Sequence, residues 1–261
     1  MSVIPMILDT IVEKKQLEVA ELKRRGLSPL ETEIPEPRGF KQALDNYDGV
    51  AIIAEAKKAS PSKGVICPDF DPVLIARAYQ SGGAQAMSVL TDESFFQGSL
   101  AYIPQVRAAV DLPVLRKDFI IDEIQIRQAA MFGADAILLI VAILADEQIK
   151  EYLAQASELG LDTLVEVHDE GEAERALAAG SELVGVNNRN LQDFSMDIET
   201  TFRVMREIPA GVSVVSESGI KGSDDILRLA KHGVSAALIG ESLMRSGDRA
   251  QGVRGLRQDN G

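Results

Sequence analysis

A repeated unit of glycine followed by a short apolar run most strongly constrains the fold of this 261-residue chain. In each unit a helix-like stretch ends near glycine, and a run rich in apolar and β-branched residues follows shortly after. Five copies read GGAQAMSVL (Gly82–Leu90), GADAILLIV (Gly133–Val141), GLDTLVEV (Gly160–Val167), GSELVGVN (Gly180–Asn187) and GVSAALIG (Gly233–Gly240). Similar runs near Val50–Ala56, Leu112–Arg116 and Val212–Ser216 complete a set of eight. Because glycine accommodates the left-handed conformation that ends many helices, each unit predicts a helix end followed by a strand.

The spacing of these units predicts a closed barrel. The runs recur about every 24 residues, which is the size of a strand–helix unit. They are apolar almost throughout, as expected for strands covered on both faces. Eight units without a long interruption favour a (β/α)8 TIM barrel over an open doubly wound sheet. The chain is close to the roughly 250 residues of one such barrel, so we expect a single domain over residues 1–261.

Residues 1–47 precede the repeats and are interpreted as an N-terminal extension. Between Pro5 and Arg25, apolar residues recur among Glu and Lys with the spacing of an amphipathic helix. The stretch Pro29–Arg38 contains three prolines, which predicts an irregular connection. We expect the extension to cover one end of the barrel. A solvated terminal arm is the alternative.

Composition excludes several classes of function. The net charge of −13 argues against nucleic-acid binding, which depends on phosphate neutralisation by Lys and Arg. Two histidines and the single Cys67 predict no His- or thiolate-based metal site and no internal disulfide, and they suit a cytoplasmic protein. Carboxylate-bound magnesium stays open. No apolar run is long enough for a membrane span, and the N-terminus does not resemble a signal peptide.

Polar residues gather where the predicted strands end. In a TIM barrel these ends form the functional face. They carry Glu55, Lys57, Lys117, Glu166, Asn187, Arg189, Glu217, Ser218, Gly219, Gly240 and Glu241. Strands also become polar simply as the chain leaves the core, which is the alternative for any single residue. That alternative is weaker for Glu55 and Lys57, which at a spacing of two share one face of a strand.

Seven segments together resemble the indole-3-glycerol-phosphate synthase family. In order along the chain they are VAIIAEAKKASPSKG (Val50–Gly64), SVLTDESFFQGS (Ser88–Ser99), LPVLRKDFI (Leu112–Ile120), LVEVHDE (Leu164–Glu170), GVNNRNL (Gly185–Leu191), VVSESGI (Val214–Ile220) and ALIGESLMR (Ala237–Arg245). The N-terminal helix also resembles the extension of that family. The resemblance implies ring closure of 1-(2-carboxyphenylamino)-1-deoxyribulose 5-phosphate, with loss of carbon dioxide and water. It implies no redox step and therefore no cofactor.

The resemblance also implies roles for individual residues. Lys117 matches the general acid, and Glu166 matches the general base. Lys57 matches a second lysine that pairs with the substrate carboxylate and shares proton donation during dehydration. The residues that would orient these lysines and the substrate hydroxyls are Glu55, Asn187 and Glu217. Because these charged groups lie close together, we expect them to titrate as a coupled set.

A phosphate site is expected over the loops after strands seven and eight, the common position in such barrels. Ser218, Gly219, Gly240 and Glu241 occupy those loops, where backbone N–H groups can bind an anion. Glu241 would therefore act through its backbone. By resemblance, Ser60 is a further phosphate contact, Arg189 lies near the substrate or forms a structural ion pair, and apolar walls come from Phe96, Phe119 and Leu191. His168, beside Asp169, is interpreted as part of a helix-start loop.

Two alternatives stay open on the sequence. One is another phosphate-binding barrel enzyme such as a phosphoribosylanthranilate isomerase, although that family places a cysteine where this chain has Glu55-Ala56-Lys57. The other is a non-catalytic barrel that binds a phosphorylated ligand. In each case the expected partner is a small phosphorylated molecule, whereas the sequence does not identify a protein partner.

Overall fold

The computed structural model describes residues 7–28, 36–191 and 193–257. Eight parallel strands form a closed barrel, in which each strand pairs with its successor and the last pairs with the first. They are β1 (Ala51–Ala56), β2 (Ala86–Leu90), β3 (Val114–Lys117), β4 (Ala136–Ile140), β5 (Asp162–Val167), β6 (Leu183–Asn187), β7 (Ser213–Glu217) and β8 (Ala236–Ile239). Each predicted run overlaps one of these strands. The prediction of a (β/α)8 TIM barrel is therefore confirmed.

Twelve helices accompany the strands in the described residues; the first two precede β1, and the others follow or connect the strands. They are α1 (Ile7–Arg25), α2 (Phe40–Asp45), α3 (Pro72–Gly82), α4 (Glu93–Phe96), α5 (Tyr102–Ala109), α6 (Glu123–Met131), α7 (Asp146–Glu158), α8 (Glu170–Ala178), α9 (Glu199–Val204), α10 (Ser223–Lys231), α11 (Glu241–Arg245) and α12 (Arg249–Leu256). Short 3-10 turns occupy Val141–Ile143 and Met205–Glu207, and a small hairpin pairs Ala59–Ser60 with Gly64–Val65. After α3, Gly83 has a φ of 84°, the left-handed conformation predicted at the repeated glycines.

The core has two layers because the strands are covered on both faces. Inside the barrel, buried side chains such as Ile53, Leu115 and Leu164 pack against one another. Outside it, residues such as Ile52 and Val165 pack against the surrounding helices. This double coverage explains why the strands read as continuous apolar runs instead of alternating ones.

The short helix α2 closes the N-terminal end of the barrel. Phe40 and Leu44 are buried in the interior cluster. The backbone N–H of Lys41 donates to Asp162 at 2.8 Å, at the first residue of β5. Asp45 accepts a hydrogen bond from the hydroxyl of Ser213, which begins β7. This helix was not predicted from the sequence, because six residues are too few to show a helical periodicity.

Helix α1 lies at the opposite end, over the carboxyl ends of the strands. The predicted amphipathic helix is confirmed over Ile7–Arg25, and residues 1–6 lie outside the described part of the chain. Lys15 of this helix is buried and forms 3.0 Å ion pairs with Asp92 and Asp118, in the loops after β2 and β3. The segment before β1 thus covers both ends of the barrel, whereas we expected one.

The predicted irregular connection, Pro29–Arg38, falls partly outside the described residues. Its last part is described: residues 36–38 are neither helix nor strand. Across the described ranges, no helix is both long enough and apolar enough to span a membrane.

Candidate active site

A cavity of about 490 Å³ opens at the carboxyl ends of the strands. All fifteen residues predicted for the site line it. They are Glu55, Lys57, Ser60, Phe96, Lys117, Phe119, Glu166, Asn187, Arg189, Leu191, Glu217, Ser218, Gly219, Gly240 and Glu241. The barrel brings them together because parallel strands end at the same edge, although the residues span much of the sequence.

Lys117 is the centre of the most buried charge cluster in this cavity. Its ammonium lies 2.8 Å from Glu166 Oε2 and 3.1 Å from Glu217 Oε2. The other oxygen of Glu166 accepts a hydrogen bond from Asn187 at 3.0 Å. Both carboxylates belong to barrel strands and are almost fully buried. One cation is therefore shared by two carboxylates that little water can reach.

The environment gives the three ionisable groups different pKa values. Burial opposes the charge on Lys117, but its carboxylate neighbours outweigh this effect and raise its pKa. Burial also disfavours charge on Glu166, but the Lys117 and His168 charges lower its pKa to about 2. For Glu217, burial is the largest effect; together with the nearby Glu166 charge it raises the pKa to about 7 despite Lys117. At neutral pH, Lys117 is thus a protonated donor beside an ionised Glu166.

A second ion pair joins Glu55 to Lys57. The Lys57 ammonium lies 2.5 Å from Glu55 Oε1, at the end of β1. Gly240 provides the space for this carboxylate, since a methyl group at Gly240 would overlap Glu55 Oε1. Gly185 does the same for Glu217. Glycine at these two positions therefore leaves room for two carboxylates among the strand ends.

The loop after β7 has an unusual backbone. Ser218 and Gly219 are both left-handed, with φ values of 66° and 81°. A serine in this conformation is uncommon, and such residues concentrate at functional sites. Asn188 holds the turn by donating from its side chain to the carbonyl of Ser218 at 3.1 Å. Beyond β8, the carboxylate of Glu241 pairs with Arg245 at 3.0 Å, so its side chain is already engaged.

Apolar side chains form another part of the wall. The rings of Phe96 and Phe119 lie 6.0 Å apart between centroids and are tilted by 35°. Leu191 also lines the cavity. The backbone N–H of Arg189 donates to Asn187 Oδ1 at 3.1 Å. Arg189 also forms an isolated antiparallel β-bridge with Met196. A flat aromatic group could therefore lie against apolar surface a short distance from the charged cluster.

Several residues of the cavity were not predicted from the sequence. His168 does lie in the loop before α8, as interpreted, but it also lines the cavity and faces Glu166. Its position two residues after Glu166 was the available signal. Ile7, Leu8 and Ile11 of α1 contribute apolar wall, which the amphipathic pattern indicated without showing where the face would pack. Further cations at the rim are Lys63, Lys221 and Arg245.

The described residues contain no cluster of three or more His, Cys, Asp or Glu side chains that could hold a metal ion. The polar groups of the cavity instead form ion pairs and hydrogen bonds with one another. The chemistry that these side chains can provide is proton donation by lysine and proton removal by glutamate.

The fold and the site define a TIM barrel with a buried lysine–glutamate cluster at the carboxyl ends of its strands, where the enzymes of this fold have their active sites. Residues 8–256 match the family model described as indole-3-glycerol phosphate synthase. The chain is 61% identical over 246 residues to the indole-3-glycerol phosphate synthase of Desulfotalea psychrophila, covering 92% of this chain and 94% of the relative. It is 54% identical to that of Chlorobium phaeovibrioides, covering 92% and 95%. The chain belongs to the indole-3-glycerol phosphate synthase family.

Comparison of structures supports the fold independently. A thiamine phosphate pyrophosphorylase from Pyrococcus furiosus superimposes with a TM-score of 0.59 at 18% identity, covering 80% of this chain and 94% of that chain. Identity this low shows the fold alone. Family membership makes the chain a carboxy-lyase of tryptophan biosynthesis that acts on a phosphorylated small molecule and closes a ring with loss of carbon dioxide. This family membership rules out the two alternatives, a phosphoribosylanthranilate isomerase and a non-catalytic barrel that binds a phosphorylated ligand.

Proposed function

We propose that Lys117 is the general acid and Glu166 the general base of this reaction. The observation that carries the proposal is the Lys117 ammonium, held within 3.1 Å of two buried carboxylates at the base of the cavity. The substrate is 1-(2-carboxyphenylamino)-1-deoxyribulose 5-phosphate. Its ring carbon that bears the carboxylate attacks the ketone carbon, and negative charge develops on the ketone oxygen.

Lys117 donates its proton to that oxygen as the new carbon–carbon bond forms. A cation placed where negative charge develops stabilises the transition state most effectively in a site with little water. The raised pKa of Lys117 supports this role, because the side chain carries its proton when the substrate arrives. Carbon dioxide then leaves, and its bonding electrons restore the aromatic ring.

Glu166 acts after Lys117, when water is lost and the indole forms. The low pKa of Glu166 depends on the neighbouring ammonium. Once Lys117 has given up its proton, that positive charge is gone and the carboxylate becomes a stronger base. Glu166 then removes the substrate proton, and the 2.8 Å contact lets it return a proton to Lys117. The order of acid before base therefore follows from the electrostatic coupling of the two groups.

The other polar residues orient these two. Lys57 pairs with the substrate carboxylate and donates a proton to the departing hydroxyl, while Glu55 fixes its ammonium at 2.5 Å. Asn187 holds Glu166 through a 3.0 Å hydrogen bond. Glu217 holds Lys117 and, with a raised pKa, contributes less negative charge than Glu166 does. Glu217 also helps to orient the substrate hydroxyls.

The phosphate binds where the chain leaves β7 and β8. Backbone N–H groups of Ser218, Gly219 and Gly240–Glu241 support this placement, and Ser60 adds a hydroxyl from the loop after β1. The aromatic ring of the substrate lies against Phe96, Phe119 and Leu191, with Arg189 near its polar edge. We place the reaction in the cytoplasm, where a lone thiol such as Cys67 stays reduced.

Replacing Glu166 with glutamine tests the proposed order. Glu166→Gln keeps the shape and the hydrogen-bonding capacity but removes the basic carboxylate. In a single turnover we expect carbon dioxide release to precede indole formation, with accumulation of an intermediate that the wild type does not show. Glu170→Gln, which removes a carboxylate paired with Arg203 on the adjacent helix, is the control and should show no lag. Simultaneous but slower release of both products would assign Glu166 to ring closure instead.

A further inference from the structure

His168 occupies a position that the roles assigned above leave unexplained. It follows β5 directly, and its side chain is about 12% exposed. Its Nε2 lies 3.4 Å from Oε1 of Glu166, the same oxygen that accepts from Asn187. Since Oε2 of Glu166 binds Lys117, each oxygen of this carboxylate faces a cation or a donor. His168 therefore adds a third neighbour to the proposed base, beside Lys117 and Asn187.

Glu172 fixes the orientation of the imidazole. Oε2 of Glu172 lies 3.0 Å from Nδ1 of His168 and also accepts the backbone N–H of His168 at 2.7 Å. Glu172 itself is held at the start of α8, where its N–H donates to the N-cap residue Asp169 at 2.9 Å. One carboxylate thus fixes both the ring and the backbone of His168, so the direction of Nε2 is set by the start of a helix.

This geometry selects the protonated form of the ring. A carboxylate only accepts hydrogen bonds, so Nδ1 must carry a proton to bind Glu172. A neutral ring would then present a lone pair from Nε2 to the Glu166 carboxylate, and two acceptors would face each other. Only the imidazolium places an N–H toward both carboxylates. The 3.4 Å separation is longer than a hydrogen bond, and Nε2 has no hydrogen-bond partner among the described residues.

The charges around His168 support the same form. Three carboxylates act on it: Glu166 from β5, Glu172 from α8 and Glu217 from β7. Burial opposes the charged ring, but the hydrogen bond to Glu172 and these carboxylates outweigh it and raise the pKa of His168. Lys117, on the far oxygen of Glu166, is the nearest cation in this cluster. The imidazolium of His168, held in place by Glu172, thus puts a positive charge beside Glu166 in the cavity wall.

We propose that His168 is a positioning residue for the decarboxylative ring closure: anchored by Glu172, its imidazolium orients the Glu166 carboxylate and keeps it ionised. The inference rests on the proposed role of Glu166 as base. When Lys117 transfers its proton to the substrate, the cluster loses one positive charge. His168 retains a second, so Glu166 stays available to accept a proton during dehydration.

The test is the pH dependence of kcat for His168→Gln. Without the imidazolium, the carboxylate cluster should protonate at higher pH. We expect the acid limb of the profile to move up by about 0.5–1 pH unit, a usual size for such perturbations. We also expect kcat at its optimum to fall by about tenfold, because a misplaced catalytic group reduces the rate. His232→Gln is the control. That ring stacks on Phe202 outside the cavity, and its profile should match the wild type.

Two further variants separate this role from a structural one. Glu172→Gln should shift the acid limb in the same direction, and the double variant should be no worse than the stronger single variant, as for groups that act as one unit. In a Glu166→Gln background, His168→Gln should have no additional effect on kcat. A lower melting temperature with an unchanged pH profile would overturn the proposal. An equal loss of kcat on adding His168→Gln to the wild type and to Glu166→Gln would also overturn it. The role of Glu166 as base would then still be decided separately, by the single-turnover experiment.

Discussion

Glu166 and Glu217 bind the same ammonium but differ in how many other donors they have. In addition to Lys117, Glu166 has a hydrogen bond from Asn187 and the nearby charge of His168. Oε1 of Glu217 is buried without a hydrogen-bond partner among the described residues. When two buried carboxylates share one cation, the carboxylate with more hydrogen bonds and more nearby positive charge stays ionised. This explains why the pKa of Glu166 falls to about 2 while that of Glu217 rises to about 7.

Glu217 is therefore predicted to lower stability at alkaline pH. In the unfolded chain its carboxyl ionises near pH 4.5, but in the folded protein it keeps its proton up to about pH 7. Folding is penalised progressively as the pH rises through this window. Glu217→Gln removes the penalty, so its melting temperature should exceed that of the wild type by about 2–5 °C at pH 8. The two melting temperatures should agree closely at pH 5. Turnover by Glu217→Gln should be lower than turnover by the wild type.

Thermal unfolding of both proteins at pH 5 and pH 8 measures this difference. An equal offset at the two pH values would show that Glu217 does not change its proton binding on folding. A melting temperature of Glu217→Gln that falls below that of the wild type at pH 8 would show that ionised Glu217 stabilises the fold through Lys117.

At the residue scale, the sequence predicted which side chains meet but not how they pair. Each residue of the cluster stands at the end of an apolar run, and parallel strands bring such ends together. The sharing of Lys117 by two carboxylates depends on side-chain directions that strand spacing does not specify. The same holds for His168, whose contact with Glu166 depends on the turn that starts α8.

At the scale of elements, α1 is fastened to the barrel by one buried lysine. Lys15 contacts Asp92 and Asp118 at 3.0 Å, and Asp118 directly follows Lys117. Asp118 also binds Arg116 at 3.0 Å and accepts from Thr91 at 2.6 Å. The helix that forms part of the cavity wall is thereby tied to the strand that carries the proposed acid.

We predict that Lys15→Met loosens α1 and weakens substrate binding. Removing one partner of a buried ion pair leaves uncompensated charge and costs about 3–5 kcal/mol. Hydrogen exchange of the α1 amides should accelerate by at least about tenfold. KM should rise, because Ile7, Leu8 and Ile11 no longer close the cavity. The exposed neighbour Lys14 provides the matched control, Lys14→Met. Unchanged exchange in the Lys15 variant would mean that apolar contacts alone hold the helix.

The elements themselves were largely predictable because local signals agree with the fold. Asp71 before Pro72 caps α3, accepting from the N–H groups of Val73 and Leu74 at 2.9 Å. The positions of α1 and α2 at opposite ends were not predictable. They depend on long-range contacts, such as Lys15 with Asp118 and Asp45 with Ser213, for which the sequence carries no local pattern.

At the scale of the whole molecule, the charge is strongly negative, whereas basic and acidic side chains nearly balance in the cavity. The net charge is −13, yet six basic side chains line the cavity beside five carboxylates; the basic ones are Lys57, Lys63, Lys117, Arg189, Lys221 and Arg245. Basic side chains gathered at one opening can bind the anionic groups of a substrate despite an acidic surface. The barrel makes this possible because the ends of all its strands surround one opening, where side chains from distant parts of the sequence meet.

The most direct test of the account compares turnover of 1-(2-carboxyphenylamino)-1-deoxyribulose 5-phosphate by the wild type and by Lys117→Met, following indole fluorescence and carbon dioxide together. The wild type should release one carbon dioxide for each indole-3-glycerol phosphate formed. Lys117→Met should remain folded but lose about 10²- to 10⁴-fold in kcat, the usual contribution of a general acid. Lys231→Met, on the exposed end of α10, should behave as the wild type. A folded Lys117→Met that keeps more than about a tenth of wild-type kcat would contradict the account.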